Sequence, residues 1–126
     1  MKKQILAILI IVAALAFSLS ACSAVNDLKA VGDTGKAFMS ALETGDNATS
    51  WSLLAPNIQD EVGSESAWAE WTSIRNFPKW SFYNTEVNGD SAQMDGTAEL
   101  DNYEYAVTLI FEKIDDAWLI TGINFE

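Results

Sequence analysis

Histidine is missing from this chain, and cysteine occurs once, as Cys22, among 126 residues. Histidine is the commonest general base near neutral pH and the commonest metal ligand, so its absence removes the simplest routes to acid–base and metal chemistry. A lone cysteine also excludes an intrachain disulfide and a cysteine-rich zinc site. The fold must therefore be stabilised by its apolar core, to which five Trp and six Phe contribute, although Phe17 lies in the N-terminal apolar segment.

Basic residues are scarce as well, with 7 Lys and Arg against 18 Asp and Glu and a net charge of -11. Without residues 1–21, which contain Lys2 and Lys3, the remainder carries -13. The basic residues left are scattered along the chain: Lys29, Lys36, Arg75, Lys79 and Lys113. Nucleic-acid binding requires clustered Lys and Arg, so the sequence predicts no nucleic-acid partner. The same charge disfavours adhesion of the domain surface to anionic lipid head groups.

One apolar run stands at the N-terminus, where Lys2 and Lys3 precede an uncharged stretch from Ile5 to Phe17. This is the layout of a secretory signal. The run ends in Leu19-Ser20-Ala21-Cys22, which resembles the lipobox of bacterial lipoproteins. The resemblance implies cleavage before Cys22 and a diacylglyceryl group on its thiol. It predicts a bacterial envelope protein, held by lipid on the extracytoplasmic side of a membrane.

Two alternatives remain for this segment. An ordinary signal peptidase could cut after Ala24, because Cys22 and Ala24 are both small. Without cleavage, the uncharged residues 5–25 would be long enough to span a bilayer as a helix. All three readings put the rest of the chain outside the cytoplasm, because the two lysines favour the cytoplasmic side.

The remaining 105 residues suffice for one small domain and are too few for two. We therefore divide the chain into a signal peptide (1–21), a short tether (22–29) and one domain (30–126). No repeat, low-complexity tract or second linker interrupts that domain.

Apolar spacing predicts three helices in the first half of the domain. The first spans about 28–44 and ends at Gly45, and Gly32 and Gly35 should leave it firm only from about residue 35. A short second helix is expected over 48–54, with Asp46 or Asn47 as its cap and Pro56 as its end. The third is expected over 64–75, with a stripe of Trp68, Trp71 and Ile74.

After Lys79 the apolar residues recur at every second position, as in a β-strand. Residues 91–101 alternate strictly, with one face polar and the other formed by Ala92, Met94, Gly96, Ala98 and Leu100. This alternation predicts a half-buried strand of an antiparallel sheet. Neighbouring strands are expected over 80–87, 103–113 and 117–125, joined by turns at 88–90, 101–102 and 115–116.

Three helices followed by a four-stranded antiparallel meander resemble the nuclear-transport-factor-like fold, the cystatin-like cone shared with ketosteroid isomerase. Residues 38–46 look like the end of the first helix in small members, and residues 117–123 look like their last strand. The resemblance implies an α+β fold in which the helices cover the concave side of a curved sheet. Many members are envelope lipoproteins of unknown function. Four aromatic residues are candidates to line or fill the cone: Trp68, Trp71, Trp80 and Tyr105.

Catalysis in this cone would require a carboxylate or tyrosine that points into an apolar cavity. Residues of suitable type are Tyr83, Tyr103, Tyr105, Asp95 and Glu104. Asp95 falls on the polar side of its strand, and Glu104 lies opposite the apolar face of the next one. We therefore predict no catalytic residue, and a domain that binds a protein or a small molecule of unknown identity. An isomerase- or hydratase-like enzyme that uses the cone as its pocket is the alternative.

Neither a metal site nor a cofactor is predicted. Asp60-Glu61 and Asp115-Asp116 are typical of solvated loops, and residues 88–96 lack the ligand spacing of a calcium loop.

Overall fold

The computed structural model describes residues 25–126, in which four helices precede a four-stranded antiparallel sheet. The helices are α1 (25–44), α2 (Asn47–Ser52), α3 (Pro56–Val62) and α4 (Glu65–Thr72). The strands are β1 (Lys79–Asn88), β2 (Ser91–Leu100), β3 (Tyr103–Ile114) and β4 (Ala117–Phe125), in the order β1-β2-β3-β4. The predicted signal peptide and lipobox, with Cys22, lie outside the described residues. Within 25–126 no helix has both the length and the apolar character needed to cross a bilayer.

Helix α1 differs from the expectation at its N-terminal end, because residues 25–29, assigned to the tether, are already helical. Asp27 accounts for the difference: its Oδ1 accepts hydrogen bonds from Lys113 Nζ at 3.1 Å and from Trp118 Nε1 at 3.3 Å. These bonds attach the first described turn of α1 to β3 and β4. The helix also continues through Gly32 and Gly35, and Gly35 is buried against Met94 of β2. The predicted weakness of its first half is therefore wrong.

The short helices follow their capping residues. Asp46 caps α2 by accepting a hydrogen bond from the Thr49 backbone nitrogen, and Ser64 caps α4 through the Ala67 nitrogen. Pro56 was predicted to end the second helix. In the structure α2 ends at Ser52, and Pro56 occupies the first turn of a further helix, α3. Proline fits there because a backbone N–H in the first turn of a helix has no intrahelical acceptor, so proline loses no hydrogen bond at that position. Ile74 lies beyond α4 and is 67% exposed, so it does not extend the tryptophan stripe into the core.

The sheet agrees with the predicted alternation. Ala92, Met94 and Ala98 are buried beneath the helices, and Leu100 packs against the same core. Asp95 and Glu99 lie on the opposite, polar face, so the register is the one that the sequence predicts. The turns at Asp101-Asn102 and Asp115-Asp116 have positive φ at both residues, a backbone state that short polar side chains tolerate.

The core lies between the helices and one face of the sheet. Its largest fully buried side chains come from both layers: Phe38, Met39, Leu42, Leu54, Trp68, Phe77, Met94, Leu109, Phe111 and Ile120. Beneath α1, Gly35 brings the helix backbone close to Met94. Among the described residues, grooves open at the margins of the helical layer.

Candidate functional site

A groove opens where α3 and α4 meet β4. It has a volume of about 490 Å³, within the range typical of small-molecule sites. Its lining is mainly apolar: Ile58, Glu61, Val62, Ala67, Trp68, Trp71, Thr121, Gly122 and Ile123. We call it the tryptophan groove.

Beside the groove, β4 makes backbone contacts on both of its edges, with β3 along one edge and with the segment before α3 on the other. The backbone of Ile120 bonds to the segment before α3, donating to Leu53 O at 2.9 Å and accepting from Ala55 N at 2.8 Å. Register shifts at the next position, since Phe111 pairs with Ile120 while Ile110 pairs with Gly122. Thr121 is thus the extra residue of a β-bulge, and such bulges reorient side chains at the margins of sheets. Thr121 and the two residues that follow it, Gly122 and Ile123, line the groove.

Trp68 forms the inner wall of the tryptophan groove. Because its ring is buried, its indole N–H needs a hydrogen-bond acceptor within the protein. It is 2% exposed, and its Nε1 donates a hydrogen bond to Ser50 Oγ at 2.8 Å. Ser50, fully buried in α2, donates in turn to the Asn47 carbonyl oxygen at 3.3 Å. A second bond, from Thr72 Oγ1 to Asn47 Oδ1 at 2.7 Å, links α4 to α2. The inner wall is therefore fixed in position before any ligand binds.

Trp71 forms the outer wall and is half-buried. Its ring stacks on Trp68 with centroids 4.9 Å apart and planes 16° from parallel. The Arg75 guanidinium carbon lies 4.0 Å from the Trp71 ring centroid, and Arg75 Nη1 donates to the Trp71 carbonyl oxygen at 2.8 Å. Because stacking and a cation–π contact both restrain this ring, the outer wall is also pre-organised.

The four predicted lining residues separate in the structure. Trp68 and Trp71 line the groove. Trp80 lies on β1 beside Phe82, with ring centroids 6.0 Å apart, and Tyr105 lies on β3 between Phe77 and Tyr103. Neither of the latter two residues reaches the groove.

Sequence reasoning missed the other half of the lining. Ile58, Glu61 and Val62 belong to α3, a helix that was not predicted; Asp60-Glu61, interpreted as a solvated loop, lie in it instead. Thr121 and Ile123 belong to a strand that was predicted, but the bulge that turns them toward α3 has no local signature. Pro56 was the one sequence signal for α3, because proline is favoured in the first turn of a helix.

The residues considered for catalysis do not assemble here. Tyr83, Tyr103, Tyr105, Asp95 and Glu104 all lie outside the groove, and Glu61 is the one titratable residue among the described residues that line it.

Asp95 in particular lies on the polar face of the sheet. It accepts hydrogen bonds from the side chains of Gln93, Asn84 and Thr108. The bond from Gln93, supported by those from Asn84 and Thr108, lowers the pKa of the Asp95 carboxyl below its usual value. A general base in an apolar pocket needs the opposite shift, so Asp95 does not fit that role.

No group of three or more acidic, histidine or cysteine side chains is placed to hold a metal ion anywhere in residues 25–126. The groove walls likewise carry no cluster of charged donors that would hold a phosphate-bearing cofactor.

Comparison with known proteins gives similarity at the level of structure. No family model matches the sequence, and no curated protein matches it. An NTF-2 like protein of unknown function from Silicibacter pomeroyi superposes with a TM-score of 0.61 at 11% identity, covering 80% of this chain and 97% of that one. One from Shewanella oneidensis gives 0.57 at 20% identity, covering 77% and 96%. A DUF4783 family protein from Bacteroides uniformis gives 0.59 at 15% identity, covering 72% and 94%. The predicted α+β cone is thereby confirmed, and the chain carries a domain of the NTF2-like fold.

Proposed function

We propose that the protein is a membrane-anchored extracytoplasmic lipoprotein whose domain binds a small apolar ligand in the tryptophan groove without transforming it. The observation that carries the binding role is the groove itself: about 490 Å³ of space bounded by two stacked, pre-positioned indole rings and the aliphatic side chains of α3 and β4. Rigid aromatic walls bind ligands well because little side-chain freedom is lost on binding.

The charge around the groove restricts the ligand. Glu61 lies at its exposed margin, and the chain beyond residue 21 has a net charge of -13. An anionic ligand would be repelled by this field, whereas a neutral or cationic one would not. The ligand class is therefore an apolar or aromatic molecule that is uncharged or carries a positive group.

A blocked groove tests the binding role. Ala67→Phe adds an aromatic ring to the wall without removing a core side chain, and Ser66→Phe adds the same ring at the neighbouring exposed position. Nile red, a neutral apolar dye, should gain fluorescence with the unlipidated domain, residues 23–126, and with its S66F variant, and should lose that gain with A67F. Equal dye binding by both variants would contradict the assignment of the site.

The anchor is tested separately, by intact mass of the protein purified from bacterial membranes. The lipobox predicts a chain that begins at a lipid-modified Cys22, and Cys22→Ser should abolish lipid labelling. High-salt washing should not release the wild-type protein, because two acyl chains hold it without any electrostatic contribution. A chain that begins at Val25, or one that retains Met1 without added lipid, would refute lipid anchoring and leave the groove unaffected.

A further inference from the structure

A second groove, of about 500 Å³, lies between the N-terminal half of α1 and the edge strand β1. Three of the large apolar residues most exposed in residues 25–126 surround it, namely Val25 at 66%, Leu28 at 45% and Tyr83 at 74%. Exposed apolar groups that cluster in this way mark an interaction surface more often than scattered ones do.

The cluster is built from two elements. Val25 and Leu28 are three residues apart and share one face of α1. Tyr83 is the extra residue of the β1 bulge, because Phe82 pairs with Gly96 while Asn84 pairs with Asp95. Lys29, Asp33 and Lys36 of α1 line the same groove, and Lys29 Nζ lies 3.4 Å from Asp33 Oδ2. We call these six residues the α1–β1 face: Val25, Leu28, Lys29, Asp33, Lys36 and Tyr83.

The other side of α1 has the opposite character. There Asp27 is held by Lys113 and Trp118, and the carboxylates of Asp90 and Asp116 lie close enough to Lys113 to raise its pKa together with Asp27. The side of the helix near Lys113 is thus acidic with its apolar groups buried, while the α1–β1 face combines exposed apolar groups with two lysines and one aspartate.

We propose that the α1–β1 face lies against the phospholipid surface and orients the domain on the membrane. This inference rests on the lipid anchor proposed above. Only Ser23 and Ala24 separate Cys22 from Val25, and three residue steps span at most about 10 Å. A lipid on Cys22 would therefore keep the start of α1 at the level of the head groups.

The residue types on this face fit that position. Tyrosine is favoured at membrane interfaces, where its ring meets the acyl boundary and its hydroxyl meets water. Lysine side chains extend along apolar surfaces while their ammonium groups reach phosphates. The contact need not be strong, because the short connection to Cys22 gives it a high effective concentration. The acidic residues around Lys113 favour turning this face, rather than the opposite one, toward lipid.

The test uses the full-length protein, purified with its lipid and reconstituted into vesicles of phosphatidylcholine and phosphatidylglycerol in a 4:1 ratio. Cys22 is the chain's one cysteine and is blocked when lipidated, so Leu28→Cys and Tyr83→Cys each introduce a single free thiol. Each thiol is labelled with bimane. Tyr103→Cys is the matched control, an exposed aromatic position on β3 outside the α1–β1 face.

Bimane at positions 28 and 83 should lose emission when head-group nitroxide lipid is included and should resist quenching by aqueous iodide. The label at position 103 should show the reverse. Vesicle flotation is measured on every sample. Flotation with all three labels equally open to iodide overturns the orientation while the anchor stands. If the labels at positions 28 and 83 are shielded from iodide but not quenched by nitroxide lipid, a protein partner covers the α1–β1 face, and the proposed membrane orientation is overturned as well. A protein that does not float removes both the anchor and this inference.

Discussion

Alanine substitution at the two glycines of α1 should have opposite effects on stability. Gly32 and Gly35 lie one helical turn apart in the same helix, and both were expected from sequence to weaken it. Their surroundings differ. A Cβ at Gly32 would have no neighbour within 4 Å, whereas a Cβ at Gly35 would overlap the Met94 sulfur and lie 3.0 Å from its methyl carbon.

The magnitudes follow from two competing terms. In a helix interior, alanine is favoured over glycine by about 0.5–1 kcal/mol, so Gly32→Ala should raise the unfolding free energy by roughly that amount. Gly35→Ala gains the same term but overpacks the core, which typically costs about 1–3 kcal/mol. Because the helix term cancels between the two variants, their difference of about 1–3 kcal/mol measures the contact with Met94.

Urea unfolding of residues 23–126 would supply these values, since single domains of this size usually unfold in one step. Met94→Val removes both the sulfur and the methyl carbon, so it should cost less stability when combined with Gly35→Ala than when combined with Gly32→Ala. Two variants of equal stability would show that α1 does not approach β2 closely at residue 35. A destabilised Gly32→Ala would show that the first half of α1 is not helical in solution.

Two further predictions concern the tryptophan groove and the start of α1. Trp68→Ala should lower the unfolding free energy by roughly 3–5 kcal/mol, and Trp71→Ala should lower it clearly less, because the Trp71 ring is only half-buried. Urea midpoints of the two variants measure the difference, and equal midpoints would contradict the assignment of Trp68 to the inner wall and Trp71 to the outer wall. The hydrogen bond from Lys113 lowers the folded pKa of Asp27, so its stabilisation is complete above the unfolded value of 3.8 and is lost as pH falls through the lower folded value. Asp27→Asn should therefore be less stable than wild type at pH 7, and the difference should shrink as pH falls below 3.8; a difference independent of pH would exclude the ion pair as the cause.

Local patterns sufficed for the sheet. Strict alternation over residues 91–101 can bury its apolar set in only one register, and the Asx pairs that follow β2 and β3 tolerate the left-handed backbone of tight turns. These signals act over a few residues, so they can be read without knowledge of the packing. For the same reason the polar placement of Asp95 could be deduced before the structure.

Features that depend on distant partners were not predictable. The first described turn of α1 is attached to the sheet by Asp27, which contacts Lys113 and Trp118, 86 and 91 positions further along the chain. The glycine at position 35 reads as a helix breaker until Met94 is placed beside it. The tryptophan groove depends on α3 and on the β4 bulge at Thr121, and neither has a hydrophobic period that would reveal it.

The hydrogen bonds between Ile120 and the segment 53–55 affect how readily copies of the protein can associate through their sheet edges. A sheet of four strands presents two edges, and unpaired edges recruit strands from other molecules. On β4 the Ile120 backbone is already occupied, and on β1 the bulge at Tyr83 interrupts the regular pairing pattern. If the proposed lipid anchor holds the chains in a membrane, they would diffuse in two dimensions and collide often, so an open edge would favour cross-strand aggregation. The bonds at Ile120 and the bulge at Tyr83 each interrupt an edge to which a neighbouring copy could add a strand.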